Sequence, residues 1–371
     1  VETVRLKNLL KWNPESKHIY FSLLIILITG IVLRLYQIGF QCIWIDEQYT
    51  LSMISQSVQQ IWYQSIFVDY TPPLFYWLDY LSITVFGATN VALRLPSLIS
   101  GILLIPAMYY VGKTYNNYQT GIYCAAFTAI LYPLVYYSQY ARAYSMSMLC
   151  FALVLIIAIR ILKGDIHLDT FAAFGILAGI TVWIHLYALI PLAFLTIVII
   201  YENRTKLKHN TVLLAAYTLI LLPLYEMPMH FLTTRVSAFG NVPYALNTAQ
   251  LIAIFPVEYF STAFPFMFLL VVCGLHCDRK SRIMWELFGV AVITIISGCI
   301  ICEFTMVYAH YLLTVSLIFI LIAALALPNM FNEDNTLNLR VIVYILLLFG
   351  TLFAFQYPTY TAQYTIQKYI C

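Results

Sequence analysis

Apolar runs long enough to cross a bilayer recur from residue 19 to residue 357, separated only by short polar gaps, and few folds accommodate that pattern. A span of the hydrocarbon core takes roughly 20 mostly apolar residues. Inside lipid every backbone N–H and C=O must find its partner within the protein, which leaves helices or a closed barrel, and the two-residue alternation of a membrane barrel is absent. The expected fold class is therefore all-α, a polytopic integral-membrane helical bundle. Composition agrees: 62% of residues are hydrophobic and 9% are charged, where soluble domains carry about 25% charged residues. A water-soluble fold is excluded. The formal charge of +3 is small and dispersed over short loops, so no nucleic-acid footprint is present and the expected partners are membrane lipids and the ligands of the site.

The pattern predicts about eleven spans, at 19–37, 93–112, 119–137, 144–163, 170–186, 187–201, 210–227, 260–276, 284–302, 308–327 and 339–357. The first is too long for a signal-peptide core and reads as a retained anchor. The apolar stretch from Pro73 to Gly87 is short for a span and suits an interfacial or re-entrant helix within a long outer loop. The stretch 170–201 barely holds two spans and lacks Gly or Pro at its middle, so a single long tilted helix stays open. Lys and Arg concentrate on the cytoplasmic side of short loops. Arg5, Lys7, Lys11, Lys17, Lys113, Arg160, Lys163, Arg204, Lys206, Lys208, Arg279, Lys280, Arg282 and Arg340 all fall on one side in this scheme. That side is taken as cytoplasmic, with the N-terminus, and a prokaryotic cell (plasma) membrane is the favoured residence. No internal repeat is visible, so residues 1–371 are read as one membrane domain without a soluble domain. Its large extracytoplasmic loops are 38–92 and 228–259. The eight cysteines mostly sit in or beside apolar helices and read as packing residues.

The same topology collects Asp46, Glu47, Asp69, Arg94, Arg142, His185, Glu226, His230, Arg235, Glu258, Glu303 and His310 on the opposite face. Ionisable groups at apolar helix ends are costly unless paired or solvated, which makes each a functional candidate. The acidic pair Asp46-Glu47 follows the first span directly and is placed to supply a general base to an acceptor hydroxyl. The competing reading has Asp46 capping a short loop helix and Glu47 in solvent, and on spacing alone that reading holds the edge. Asp69-Tyr70-Thr71-Pro72-Pro73 joins a carboxylate to aromatic rings ahead of the short apolar helix, with the prolines fixing an extended entry. Such rings stack on sugar faces, yet with 30 Tyr and 24 Phe in the chain most belong to an interfacial belt. Arg94 and Arg142 each stand at the outer end of a span, where they would hold a phosphate or else form salt bridges, Arg94 with Asp69 and Arg142 with Asp46. His310, in Tyr308-Ala309-His310-Tyr311-Leu312, is either a phosphate donor or a packed ring. The loop from Pro228 to Ser261, with Arg235, Gly240 and Asn241, reads as a mobile cover.

The order of motifs carries more than any one of them. An acidic pair after the first span, Asp69-x-x-Pro72-Pro73-Leu74-Phe75-Tyr76, Phe86-Gly87, Leu93-Arg94-Leu95-Pro96-Ser97 and Tyr137-Ser138-Gln139-x-x-Arg142-x-Tyr144 together resemble the GT-C glycosyltransferases of the protein O-mannosyltransferase and aminoarabinose-transferase group. The resemblance runs from Trp44 to about Tyr144 and returns at His310-Tyr311-Leu312. It implies a GT-C fold with interfacial helices in the first outer loop. It also implies inverting transfer of a sugar, mannose-like by preference, from a polyprenyl- or dolichyl-phosphate donor to a hydroxyl of a glycan, lipid or protein acceptor. Carried over, Asp46 is the base and Glu47 its support; Arg94, Arg142 and His310 hold the donor phosphate; Asp69, Tyr70, Tyr144 and Tyr311 order the loop or touch substrate.

Four departures stand beside it: His310 where many relatives have Arg, Thr71 where aminoarabinose transferases have a basic residue, no soluble extracytoplasmic domain of the kind many relatives carry, and no Trp-Trp-Asp motif. No metal ligand set is recognisable, and the resemblance leaves a divalent-metal requirement undetermined. The alternative class is a membrane transporter or lipid flippase, which calls for paired repeats and charges at mid-depth; a scaffold without chemistry is the third reading.

Overall fold

The computed structural model describes residues 14–40, 42–230, 233, 248–303 and 307–330. All described regular structure is helical, and the protein is a multi-pass membrane bundle. In chain order the elements are α1 (Pro14–Leu35), α2 (Ile45–Ile54), α3 (Val58–Gln64), α4 (Leu74–Phe86), α5 (Asn90–Tyr115), α6 (Tyr118–Ile130), α7 (Tyr132–Ser138), α8 (Tyr144–Leu162), α9 (Leu168–Ile184) and α10 (Leu189–Glu202). They continue with α11 (Leu207–Leu221), α12 (Thr248–Phe260), α13 (Phe264–Cys277), α14 (Arg282–Ile301), a 3-10 segment (Ala309–Val315) and α15 (Ser316–Met330). In the most apolar window of Ala309–Pro328, 83% of residues are buried, against 22% in that of Leu207–Leu224, so α15 is a central stave and α11 faces lipid. Gly274 lets α13 lie directly on α15: a Cβ there would sit 1.9 Å from the Ile322 carbonyl oxygen.

Six described helices are long and apolar enough to cross a bilayer, or seven if the bent pair α6–α7 counts as one span. Four further apolar helices, Ile19–Leu35, Leu74–Phe86, Leu168–Ile184 and Leu186–Glu202, are shorter. The expected span 339–357 lies outside the described residues, as do Arg235, Gly240, Asn241 and Arg340 and most of the basic N-terminal segment. One expectation changes, and one open alternative, a single long helix over 170–201, is excluded, each for a local reason. The stretch 119–137 is not one straight span: Leu131 is extended and α7 leaves α6 at 60°. The stretch 170–201 is two helices interrupted at His185, whose φ of −150° and ψ of 116° are not helical. The segment 73–87 contains one 13-residue helix, α4, preceded after α1 by α2 and α3.

The α6–α7 break frees carbonyls that a continuous helix would satisfy, since Pro133 has no N–H to offer Ala129. Arg34, in the last turn of α1 and fully buried, fills the gap. Its Nη1 donates to the Ala129 carbonyl at 2.9 Å and its Nη2 to the Thr128 carbonyl at 2.8 Å. In return Gln139, just past α7, donates through Nε2 to the carbonyls of Leu33, Arg34 and Tyr36 that end α1. This reciprocal stitch fixes where segment 139–143 leaves the bundle. Arg34→Leu orphans both break carbonyls, and is expected to lower stability by about 3 kcal/mol, read as a lower thermal midpoint of the detergent-solubilised protein; an unchanged midpoint would refute the stitch.

Candidate active site

Asp46 and Glu47 fall in the first turn of α2, and their side chains part company there. Glu47 turns inward and is fully buried. Its Oε2 accepts the Trp44 N–H at 3.0 Å, so the residue that ties down this helix start is Glu47, not Asp46, and Glu47 is not in solvent. Arg94 enters from the start of α5, which Thr89 caps through the Ala92 N–H at 3.1 Å. Its guanidinium forks onto Glu47, with Nε to Oε1 at 2.8 Å and Nη2 to Oε2 at 2.7 Å. Nη1 donates to the Ile38 carbonyl at 2.6 Å and Nη2 to that of Cys42 at 3.2 Å. Bidentate Arg–carboxylate pairs of this kind are both strong and directional. The salt bridges expected from spacing, Arg94 with Asp69 and Arg142 with Asp46, do not form; Arg94 pairs with Glu47 instead.

That buried pair also holds the segment carrying Arg142. Glu47 Oε1 accepts the Ala141 N–H at 2.9 Å, Thr50 Oγ1 donates to the Ala141 carbonyl at 3.1 Å, and Ser97 Oγ donates to the Arg142 carbonyl at 3.0 Å. With Gln139 stitched to α1, this short non-helical segment is anchored from α1, α2 and α5.

The result is a cavity of about 290 Å³ between the segment joining α1 to α5, the start of α8, the α9–α10 junction and the Tyr308–Tyr311 segment. Asp46, Asp69 and Arg142 are the ionised side chains that line it among the described residues, together with His185 and Tyr70, Tyr76, Tyr144, Tyr187, Tyr308 and Tyr311. Tyr70 has a φ of 58°, a left-handed conformation uncommon for a non-glycine residue. It reverses the chain so that Asp69 and Tyr70 face the cavity ahead of Pro72. Tyr76 donates to Asp69 Oδ2 at 2.8 Å, and Arg142 Nη1 reaches the Tyr76 oxygen at 3.4 Å. No carboxylate lies within 4 Å of Arg142 among the described residues. Burial, with Arg142 and His310 nearby, pushes His185 down to about 3, so its ring is neutral. Asp79, one turn beyond Phe75 and Tyr76 on α4, is buried with both carboxyl oxygens unpartnered. Burial pushes its pKa well up, against the opposing charge of Arg142, and it is carried protonated.

Asp46 is oriented by Tyr140, whose hydroxyl donates to Oδ2 at 3.0 Å. Burial and the charge of Asp46 push this phenol up, so it stays a donor, and its ring stacks on Tyr136 at 5.7 Å. Tyr140→Phe keeps the stack and removes only the hydrogen bond. If Asp46 acts on substrate, this change lowers kcat roughly tenfold with little change in KM; an unchanged kcat would remove Tyr140 from the working site.

Of the residues singled out from sequence, the structure brings Asp46, Asp69, Tyr70, Arg142, Tyr144 and Tyr311 to the cavity. Glu47 and Arg94 stand behind it. His310 stands beside it, with Nδ1 3.9 Å from Glu258 Oε1 and its ring stacked on Tyr308 at 7°; Glu258 also accepts from Tyr137 at 2.8 Å. Tyr76 and Tyr308 were inside quoted motifs yet unselected, because nothing in a tyrosine-rich sequence marks which rings leave the belt. Arg34 was missed outright, although a lone arginine at the end of an apolar helix is a signal in itself. Cys299 and Cys302 form a Cys-x-x-Cys pair at the end of α14; both are free, and Cys302 Sγ donates to the Cys299 carbonyl. No cluster of three or more His, Cys, Asp or Glu side chains is arranged to hold a metal among the described residues.

Comparison with known proteins bears on the fold. Residues 70–227 match the family model of dolichyl-phosphate-mannose-protein mannosyltransferase. No curated protein matches the chain. Among solved structures, the chain is similar to ArnT from Cupriavidus metallidurans bound to undecaprenyl phosphate, with a TM-score of 0.62 and 12% identity over 89% of this chain and 70% of that one. The apo form of the same protein gives 0.60 and 11% over 85% and 60%. The archaeal oligosaccharyltransferase AglB from Archaeoglobus fulgidus, in complex with an inhibitory peptide and a dolichol-phosphate, gives 0.55 and 14% over 91% and 55%. The chain therefore has a GT-C fold and resembles mannosyltransferases of that class, and it spans between about half and about seven-tenths of the length of these structures.

Proposed function

We propose that this chain transfers a sugar from a polyprenyl-phosphate donor to an acceptor hydroxyl, with inversion, at the extracytoplasmic face of the membrane. The observation that carries the reading is the shared cavity: a carboxylate with one oxygen tied by Tyr140, and a guanidinium with no carboxylate within 4 Å among the described residues, face the same space. Asp46 takes the proton of the acceptor hydroxyl, and the oxygen attacks the anomeric carbon from the side opposite the phosphate. The bond from that carbon to the phosphate oxygen breaks, and Arg142 stabilises the charge that the leaving phosphate acquires. Glu47 and Arg94 act through the segment that carries Arg142 and are positioning residues. Asp69, Tyr70, Tyr144 and Tyr311 bound the sugar, with tyrosine faces available for stacking, and His310 borders the donor phosphate from behind Tyr144. The mannose-like sugar and the undecaprenyl or dolichyl carrier are extended from the family match and from the ligands of the ArnT and AglB structures.

A transporter reading gains nothing from the buried arginines, because Arg34 and Arg94 each lie near a helix end and each is neutralised or capped within the scaffold. The test is transfer of radiolabelled sugar from a panel of polyprenyl-phosphate sugars in membranes holding the chain, against membranes without it. Transfer above background from one donor is expected. Absence of transfer from every donor, with matched expression, would return the weight to transport.

A further inference from the structure

We propose that the cavity is built for a donor whose sugar carries no carboxylate, and that Asp69 enforces this choice. The inference rests on the transfer reading above and concerns the charge that remains once the donor phosphate is seated. Around the cavity, Glu47 is neutralised by the Arg94 fork, Asp79 is protonated, and the His185 ring is neutral. That leaves Asp46, Asp69 and Arg142 as the ionised groups on the wall among the described residues.

Arg142 has no carboxylate within 4 Å there; its hydrogen-bonded route to Asp69 runs through the Tyr76 hydroxyl, and Asp69 and Asp46 otherwise act on it through space. Its positive charge is therefore available to the donor phosphodiester, which carries one negative charge and cancels it. What then faces the sugar is two carboxylates, tyrosine rings and hydroxyls. Sugar hydroxyls donate to carboxylates, and sugar C–H faces stack on the rings. An acid group on the sugar would instead meet like charge, with no second arginine or lysine lining the cavity among the described residues. Asp46 and Asp69 both line this cavity, so an acid group seated in it lies near one aspartate or the other; at about 8 Å, repulsion from one of them is worth roughly thirtyfold. Asp46 is committed to the acceptor, and its oxygen is tied to Tyr140. Asp69 is the carboxylate left to read the sugar.

The experiment uses the full chain in lipid nanodiscs and donor pairs that differ only at C6: polyprenyl-phosphate mannose against mannuronate, glucose against glucuronate, and galactose against galacturonate. In each pair that is turned over, kcat/KM for the neutral member is expected to exceed that for the acid by at least about tenfold. Asp69→Asn is expected to cut that ratio by about tenfold or more, with Asp46 still opposing the acid, while Asp69→Glu, which keeps the charge, preserves it and serves as the folding control. Equal or better use of an acid donor by the wild type would overturn the proposal. A ratio unchanged in Asp69→Asn would remove Asp69 as its cause. Turnover of none of the six donors would instead bring down the transfer reading, and this inference with it.

Discussion

Replacing Asp46 by Asn is expected to reduce sugar transfer by about 10²- to 10⁴-fold, the range that a positioned general base contributes. The change is nearly isosteric, and an amide oxygen can still accept the Tyr140 hydroxyl that now meets Oδ2 at 3.0 Å, so the first turn of α2 should hold. What is lost is the group that takes the acceptor proton as the oxygen attacks. Donor binding should survive, because the guanidinium placed at the phosphate belongs to Arg142 and is fixed through Ala141 and Ser97 rather than through Asp46. Two measurements separate these contributions: the transfer rate at saturating donor, and the stabilisation of the solubilised protein by polyprenyl phosphate alone. A collapsed rate with preserved stabilisation is the expected pair. A rate within a few-fold of wild type would remove Asp46 as the base while leaving the cavity and its arginine in place.

The fold was open to a reader of the sequence because a bilayer imposes a blunt requirement, long apolar runs with satisfied backbones, and composition alone reveals it. The breaks in those runs were harder. Pro133 bends the third expected span by 60°, yet prolines also occur within α5, where Pro96 and Pro106 leave the helix continuous. The difference is a partner distant in sequence, Arg34, which satisfies the freed carbonyls from 94 and 95 residues away. The site shows the same division. Asp46, Asp69 and Arg142 stand out as charges at helix ends, and all three reach the cavity. Two adjacent carboxylates, however, look alike in a sequence, and only packing assigns one to substrate and the other to the scaffold. Here the helical offset of about 100° between neighbours sends Glu47 inward to Arg94 and leaves Asp46 at the cavity wall.

That assignment makes a sharp expectation for the Glu47–Arg94 pair. Arg94→Met strands a fully buried carboxylate, and removing one partner of a buried pair costs about 3–5 kcal/mol, so the thermal midpoint should fall steeply and transfer with it. The double change Glu47→Leu with Arg94→Met removes both charges and refills the volume with apolar atoms, a replacement that is often neutral for stability. Part of the lost stability should return, the remainder being withheld because the Trp44 and Ala141 N–H groups and the Ile38 and Cys42 carbonyls lose the Glu47 and Arg94 side chains as partners. Activity should not, because Glu47 does more than balance a charge: its Oε1 is the acceptor for the Ala141 N–H at 2.9 Å, one residue before Arg142. Thr50 and Ser97 still hold the carbonyls of Ala141 and Arg142, so the segment shifts rather than unravels, and a misplacement near 1 Å is worth about 10²-fold in rate. A double variant that is more stable than Arg94→Met but still slow is therefore the expected outcome. Recovery of rate together with stability would mean that the pair serves the bundle alone and that Arg142 is positioned by its remaining anchors.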